Sequence, residues 1–215
     1  MSIMSKIGFA CMMLYEGGGA PSSTSGAIVL SVVSLTGAKE KFDYWFDFGH
    51  SFVTIENKTK KNVDVGYYNL KPNEEVSVGL WYGSFFAGPD EFEKIGGVYY
   101  NREFYEYNLN YEPESLVSCK CVIDEHSLWF VSQIIKKKNN EYNLIGYNCS
   151  NFATEIWNKA SGAKWPTGDY PMYYLEPKDV CANIKANNKY DENPKLKPKG
   201  YYYKYANNKL NEVHE

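Results

Sequence analysis

Two residue types that together make a thiol nucleophile occur here in suggestive settings, Cys149 and His50. Cys149 lies in Tyr147-Asn148-Cys149-Ser150-Asn151-Phe152-Ala153, followed by Thr154-Glu155-Ile156-Trp157. Gly146 and Asn148 punctuate a loop. After it Phe152, Ile156 and Trp157 recur at helical spacing, and Gly162 offers a C-terminal cap. The spacing predicts a helix that opens at Cys149. A thiol there faces unpaired backbone N–H groups and the positive end of the macrodipole, and both favour thiolate over thiol. The backbone N–H of Cys149 is also placed to receive an oxyanion. The bland alternative is a small buried hydrophobe, the usual state of a free cysteine.

His50 opens an apolar stretch directly after a glycine, in Gly49-His50-Ser51-Phe52-Val53-Thr54-Ile55-Glu56. A polar turn, Asn57 to Lys61, leads to Asn62-Val63-Asp64-Val65-Gly66-Tyr67-Tyr68, which reads as the return strand of a hairpin. Period-2 alternation puts Val53, Ile55, Val63 and Val65 on the core side. His50, Thr54, Asn62 and Asp64 then point the other way, with two polar groups available to orient the ring. A histidine so placed takes the proton of Cys149, and the thiolate attacks an acyl carbonyl. The imidazolium then protonates the departing amine or alcohol. The fold must bring the two residues together, because they are far apart in sequence.

The elements available for that task are mixed. Ala27 to Leu35 is β-branched and bounded by Gly26 and Gly37, hence a buried strand. Glu74 to Trp81, Gly97 to Tyr100 and Ser118 to Ile123 suggest further strands. Tyr82 to Gly96 is a long loop carrying Phe85 and Phe86, read as packing beneath the loop. Asn101 to Pro113 carries no assignable period. Asp124 and Glu125 begin a helix through Leu128, Val131, Ile134 and Ile135, ending in Lys136-Lys137-Lys138, where positive charge is favoured. Pro177 to Ile184 is a short helix with Pro177 in its first turn. Asn187 to Gly200 reads as a Lys/Asn/Pro-rich linker, and Tyr201 to Tyr205 as an edge strand.

The 215 residues suit one domain of residues 1–186, with 1–25 as a mobile N-terminal segment and 187–215 as a C-terminal extension. A net charge of −3 gives no electrostatic footprint for nucleic acid, and no apolar run reaches the ~20 residues of a membrane span. Five cysteines at irregular spacing argue against a complete disulfide framework. No zinc-ligand spacing emerges, so neither metal nor cofactor is expected. The short apolar run Ile7 to Leu14, with Ala10-Cys11 inside it like a lipoprotein cleavage site, only faintly matches an export signal. A cytoplasmic location, or export without a clear signal peptide, is expected.

Tyr142 to Glu155, with Gly162 and Trp165-Pro166 downstream, resembles the nucleophile segment of circularly permuted papain-like cysteine peptidases of the NlpC-like superfamily. The wording is closest to the PPPDE peptidase branch. Gly49-His50-Ser51 looks like the matching histidine strand, and His before Cys is the order of that superfamily. The resemblance covers two blocks, and the Leu70 to Pro113 interval is longer than the isopeptidase branch implies. It implies an α+β fold, with a curved, mostly antiparallel sheet of about five or six strands and the Cys149 helix packed on one face. Family spacing favours Asp64 as the third catalytic residue. A regular hairpin would put Tyr68 or Asn69 opposite His50, so Asn62 and Asn69 stay open. For the oxyanion, Asn143, Tyr147 or Asn148 are candidate helpers of the Cys149 N–H.

The implied activity is a cysteine peptidase or amidase cleaving an amide or isopeptide bond. Its substrate would be a peptide, a peptidoglycan peptide or a protein conjugate. A thiol acyltransferase or lipid hydrolase of the same fold, and a catalytically idle binding module, are the alternatives.

Overall fold

The computed structural model describes residues 26–37, 49–82, 96–108, 113, 115–140, 142, 146–168 and 175–213. Expectations placed on Ile7 to Leu14, Phe85-Phe86 and Asn143 lie outside them.

The protein is α+β. Eight strands form one sheet in the order β10-β9-β6-β5-β2-β1-β7-β8, and each pairing in it is antiparallel. The strands are β1 (Ile28–Thr36), β2 (His50–Asn57), β5 (Glu75–Trp81), β6 (Gly97–Tyr100), β7 (Ser115–Ile123), β8 (Asp191–Glu192), β9 (Tyr202–Ala206) and β10 (Lys209–Val213). Two short strands, β3 (Val63–Val65) and β4 (Tyr68–Leu70), pair separately. The helices are α1 (Arg102–Asn108), α2 (Glu125–Lys137), α3 (Cys149–Ser161) and α4 (Pro177–Lys185).

The sheet therefore has more strands than the five or six expected. β8 and β10 come from residues read as linker and terminal extension, while β9, expected at Tyr201 to Tyr205 as an edge strand, lies inside the sheet between β6 and β10. Residues 187–215 supply β8, β9 and β10 to the main sheet, and Asn207 and Asn208, both at positive φ, turn the β9–β10 hairpin. Residues of this type tolerate the left-handed region that a tight hairpin requires.

The predicted β2–β3 hairpin is also replaced. β2 lies between β1 and β5. β3 turns back at Gly66 (φ +61) to pair with β4 instead. A Cβ at Gly66 would lie 2.4 Å from Ile135 Cγ2 and 2.5 Å from the Tyr100 hydroxyl, so a side chain has no room there.

Alternation along β2 holds. Val53 and Ile55 join Val32, Val76, Val78 and Leu80 in the main core, beneath Phe152, Ala153 and Ile156 of α3. Burying these aliphatic side chains is what holds the helix on the sheet. The opposite face carries α1, whose Tyr105 packs with Tyr99 and Tyr202. Among the described residues no helix is long and apolar enough to cross a membrane.

Candidate active site

α3 begins where the sequence indicates. Asn148 is the N-cap, its side chain accepting from the N–H groups of Ser150 (2.8 Å) and Asn151 (3.2 Å). Asn151 Oδ1 accepts in return from Asn148 N–H at 3.0 Å, which completes a capping box. Asn148 Nδ2 donates to Leu175 O at 2.9 Å, tying the loop to the chain beyond the helix. Gly162 ends the helix in the left-handed conformation (φ 76). Cys149 is thus fixed as the first helical residue. Capping engages the N–H groups of Ser150 and Asn151, and that of Cys149 is not among them.

His50 arrives from the other element. The β2–β5 ladder runs from Glu56↔Glu75 to Val53↔Val78, and β2 continues beyond it through Phe52 and Ser51 to His50. In this parted region the Ser51 backbone N–H is near enough to the Cys149 sulfur to favour its thiolate. Gly49 precedes His50 at φ +81, and a Cβ on it would lie 2.2 Å from Leu35 O. Only glycine lets the chain enter the strand at that point.

The imidazole is held from both faces of the sheet. From the α3 side the Cys149 thiol faces it closely enough for their charges to favour one another. From the α1 side Glu103 Oε1 lies 3.1 Å from Nε2. With Nε2 taken by Glu103, the nitrogen left for the sulfur is Nδ1. Glu103 is 4% exposed, and its oxygens also accept from Trp81 Nε1 (2.7 Å) and Ser77 Oγ (2.6 Å). A buried carboxylate with three donors is well compensated.

Room for that carboxylate comes from Gly79. A Cβ there would lie 1.8 Å from Glu103 Oε1 and 3.0 Å from His50 Nε2. The ring is further packed by Trp81, at 4.4 Å between centroids, and Phe52, at 5.8 Å.

The electrostatics separate this cysteine from another buried one. Burial disfavours the imidazolium, but the Cys149 charge and hydrogen bond, then those of Glu103, carry the His50 pKa from 6.5 up to about 9. Burial likewise raises Cys149, yet the His50 charge, its hydrogen bond and the Ser51 N–H hold the thiol below its ordinary 9.0. Cys119, with no such partners, is pushed by burial, and secondarily by Asp191, up to about 12. The arrangement therefore favours a thiolate–imidazolium pair at Cys149 and His50.

The third position differs from the sequence expectation. Asp64 lies on β3, exposed, and its Oδ1 accepts from Asn69 Nδ2 at 2.8 Å. Asn62 Nδ2 donates to Asn69 Oδ1 at 2.6 Å. These three form a surface ladder because β3 pairs with β4 rather than β2, and the carboxylate on His50 is that of Glu103. Two oxyanion candidates are engaged elsewhere. Asn148 serves as the cap, and the Tyr147 hydroxyl donates to Glu155.

A groove of about 380 Å³ is lined by Ser31, Thr54, Ser118, Lys120 and Leu196 among others, but by neither Cys149 nor His50. Among the described residues no three His, Cys, Asp or Glu side chains cluster as metal ligands would.

Comparison with protein-family models, with curated proteins and with solved structures finds no match to this chain.

Proposed function

We propose that the protein is a cysteine hydrolase, a peptidase or amidase, with Cys149 as nucleophile, His50 as general base and acid, and Glu103 as the group that orients His50. One observation carries this reading: a thiol at the head of a helix is electrostatically paired with an imidazole whose Nε2 lies 3.1 Å from a buried carboxylate. The resemblance of the Cys149 and His50 blocks to permuted papain-like peptidases of the NlpC-like superfamily supports it, as does the antiparallel α+β architecture.

In the reaction the Cys149 thiolate attacks the carbonyl carbon of an amide or isopeptide bond. The oxyanion forms beside the Cys149 N–H. Collapse of the tetrahedral adduct expels the amine, which takes its proton from His50 and leaves an acyl-thioester on Cys149. His50, now neutral, deprotonates a water that attacks the thioester. The second adduct expels the thiolate and releases the acid. Throughout, Glu103 keeps Nε2 as the donor nitrogen and Nδ1 towards sulfur, the role that a third residue plays in such triads. Peptides, peptidoglycan peptides and protein conjugates are the substrate classes that fit.

Iodoacetamide at mildly acidic pH tests the nucleophile, with modified sites read by mass spectrometry. Cys149 is expected to react well before Cys119, Cys121 and Cys181, which are also free thiols. Equal modification of all of them overturns the reading. Muropeptides, ubiquitin-like conjugates and phospholipids, each compared with Cys149→Ala, then identify the bond cleaved.

A further inference from the structure

Trp81 touches both partners of the orienting hydrogen bond. Its indole N–H donates to Glu103 Oε1 at 2.7 Å, the same oxygen that lies 3.1 Å from His50 Nε2. Its ring also lies against the imidazole, at 4.4 Å and 41°. Arg102 sits over the indole at 4.4 Å, and over the rings of Tyr99 at 4.7 Å and Tyr202 at 5.5 Å. Glu106, one helical turn on, takes Arg102 Nε at 3.3 Å. The guanidinium is thereby held in place, and it holds the indole.

We propose that Trp81, locked by Arg102, is a positioning residue that sets how strongly Glu103 holds the His50 imidazolium. Two donors on one carboxylate oxygen divide its acceptor strength, so the indole N–H weakens the bond that His50 receives. Arg102, over the indole at 4.4 Å, keeps that N–H on the carboxylate, so its loss acts in the same direction as loss of the N–H. Against these stand the groups that favour the imidazolium, Cys149 from α3 and Glu103 from α1. Ser77 Oγ, on Glu103 Oε2, leaves the shared oxygen to Trp81 and His50. The device therefore moderates the pair: Glu103 orients the ring without making it too poor an acid to protonate a leaving amine. The inference rests on the hydrolase reading above.

Trp81→Phe keeps a ring against His50 and deletes the N–H. The probe is the His50 imidazole signal, followed by NMR from neutral to alkaline pH; the chain has three histidines, so the spectrum is simple. Its midpoint is expected to rise by about half a pH unit or more, the worth of freeing one acceptor. Arg102→Met is expected to shift it the same way, and carries the test alone should the Phe variant not fold. An unmoved or lowered midpoint in a folded variant overturns this inference, since simple packing would give that result. The outcome is separable from failure of the hydrolase reading, which shows as a Cys149 no more reactive to iodoacetamide than Cys119.

Discussion

Glu103→Gln removes one negative charge from the buried site while leaving its shape nearly intact. Oε1 receives both His50 and Trp81, and Oε2 receives Ser77 Oγ. The Gln carbonyl can take the place of Oε1 and keep the first two bonds. Its amide then faces a hydroxyl that can turn from donor to acceptor. What is lost is the charge-assisted part of the His50 bond. A hydrogen bond to a charged group contributes about 1.5–3 kcal/mol, against about 0.5–1.5 for a neutral one. The difference, about 1–1.5 kcal/mol, corresponds to roughly one pH unit on His50 and roughly tenfold in rate.

The sign follows from the pair. Glu103 favours the charged imidazole, so without its charge the His50 midpoint falls from about 9 towards neutrality. A less cationic neighbour supports the thiolate less, so the Cys149 midpoint rises from its lowered position. The pH window over which thiolate and imidazolium coexist narrows from both ends. Imidazole NMR reads the alkaline edge, and iodoacetamide alkylation of Cys149 reads the acid edge. Circular dichroism and thermal melting show that the variant is folded. A folded Glu103→Gln protein whose two edges both stay in place refutes the assignment of Glu103.

Gly79→Ala forces the Glu103 carboxylate aside, since the new Cβ would stand 1.8 Å from Oε1. It is expected to slow Cys149 alkylation at mildly acidic pH and to cost about 1–3 kcal/mol in urea denaturation. Asp64→Ala removes an exposed ladder residue. It is expected to leave Cys149 alkylation unchanged and stability within about 0.5 kcal/mol, and a large loss of reactivity would return Asp64 to the site. Asn148→Ala deletes the helix cap and the tie to Leu175. It is expected to lower stability by about 0.5–2 kcal/mol in urea denaturation and to slow alkylation by loosening the helix head.

The parts of the site that sequence could reveal are those governed by local chemistry. Asn148 before Cys149 and Gly162 after Ser161 are caps whose effects reach only a few residues, so they bracket α3 directly. Gly49 marks the strand entry for the same reason. Alternation sorted His50 from Val53 because it depends on the strand alone. Pairing does not: β2 passes over the nearby Val63 to meet β1 and β5, and Asp64 leaves the site with β3.

Glu103 was hidden because α1 has only seven residues and no apolar stripe. Its carboxylate reaches His50 through the β5–β6 neighbourhood rather than through any spacing. One signal was present. Gly79 is a lone glycine inside an apolar strand, the mark of something approaching closely. At the C-terminus Tyr201 to Tyr205 was legible as a strand but not its place inside the sheet, where Lys204 is buried within β9 beside the Tyr99 hydroxyl. A Lys/Asn-rich sequence gives no hint of that burial.

The place of β9 has a consequence for how the protein matures. Tyr203 and Lys204 pair with Tyr100 and Tyr99 of β6, the strand that leads into the helix bearing Glu103. Translation therefore delivers Cys149 and His50 well before it delivers the strand that pairs with the one leading to Glu103. A nascent chain on the ribosome would carry the sulfur without the full means of sharpening it. On the reading proposed above, docking of the β9–β10 hairpin completes the setting of Glu103 only after Cys149 and His50 are both in place along the chain.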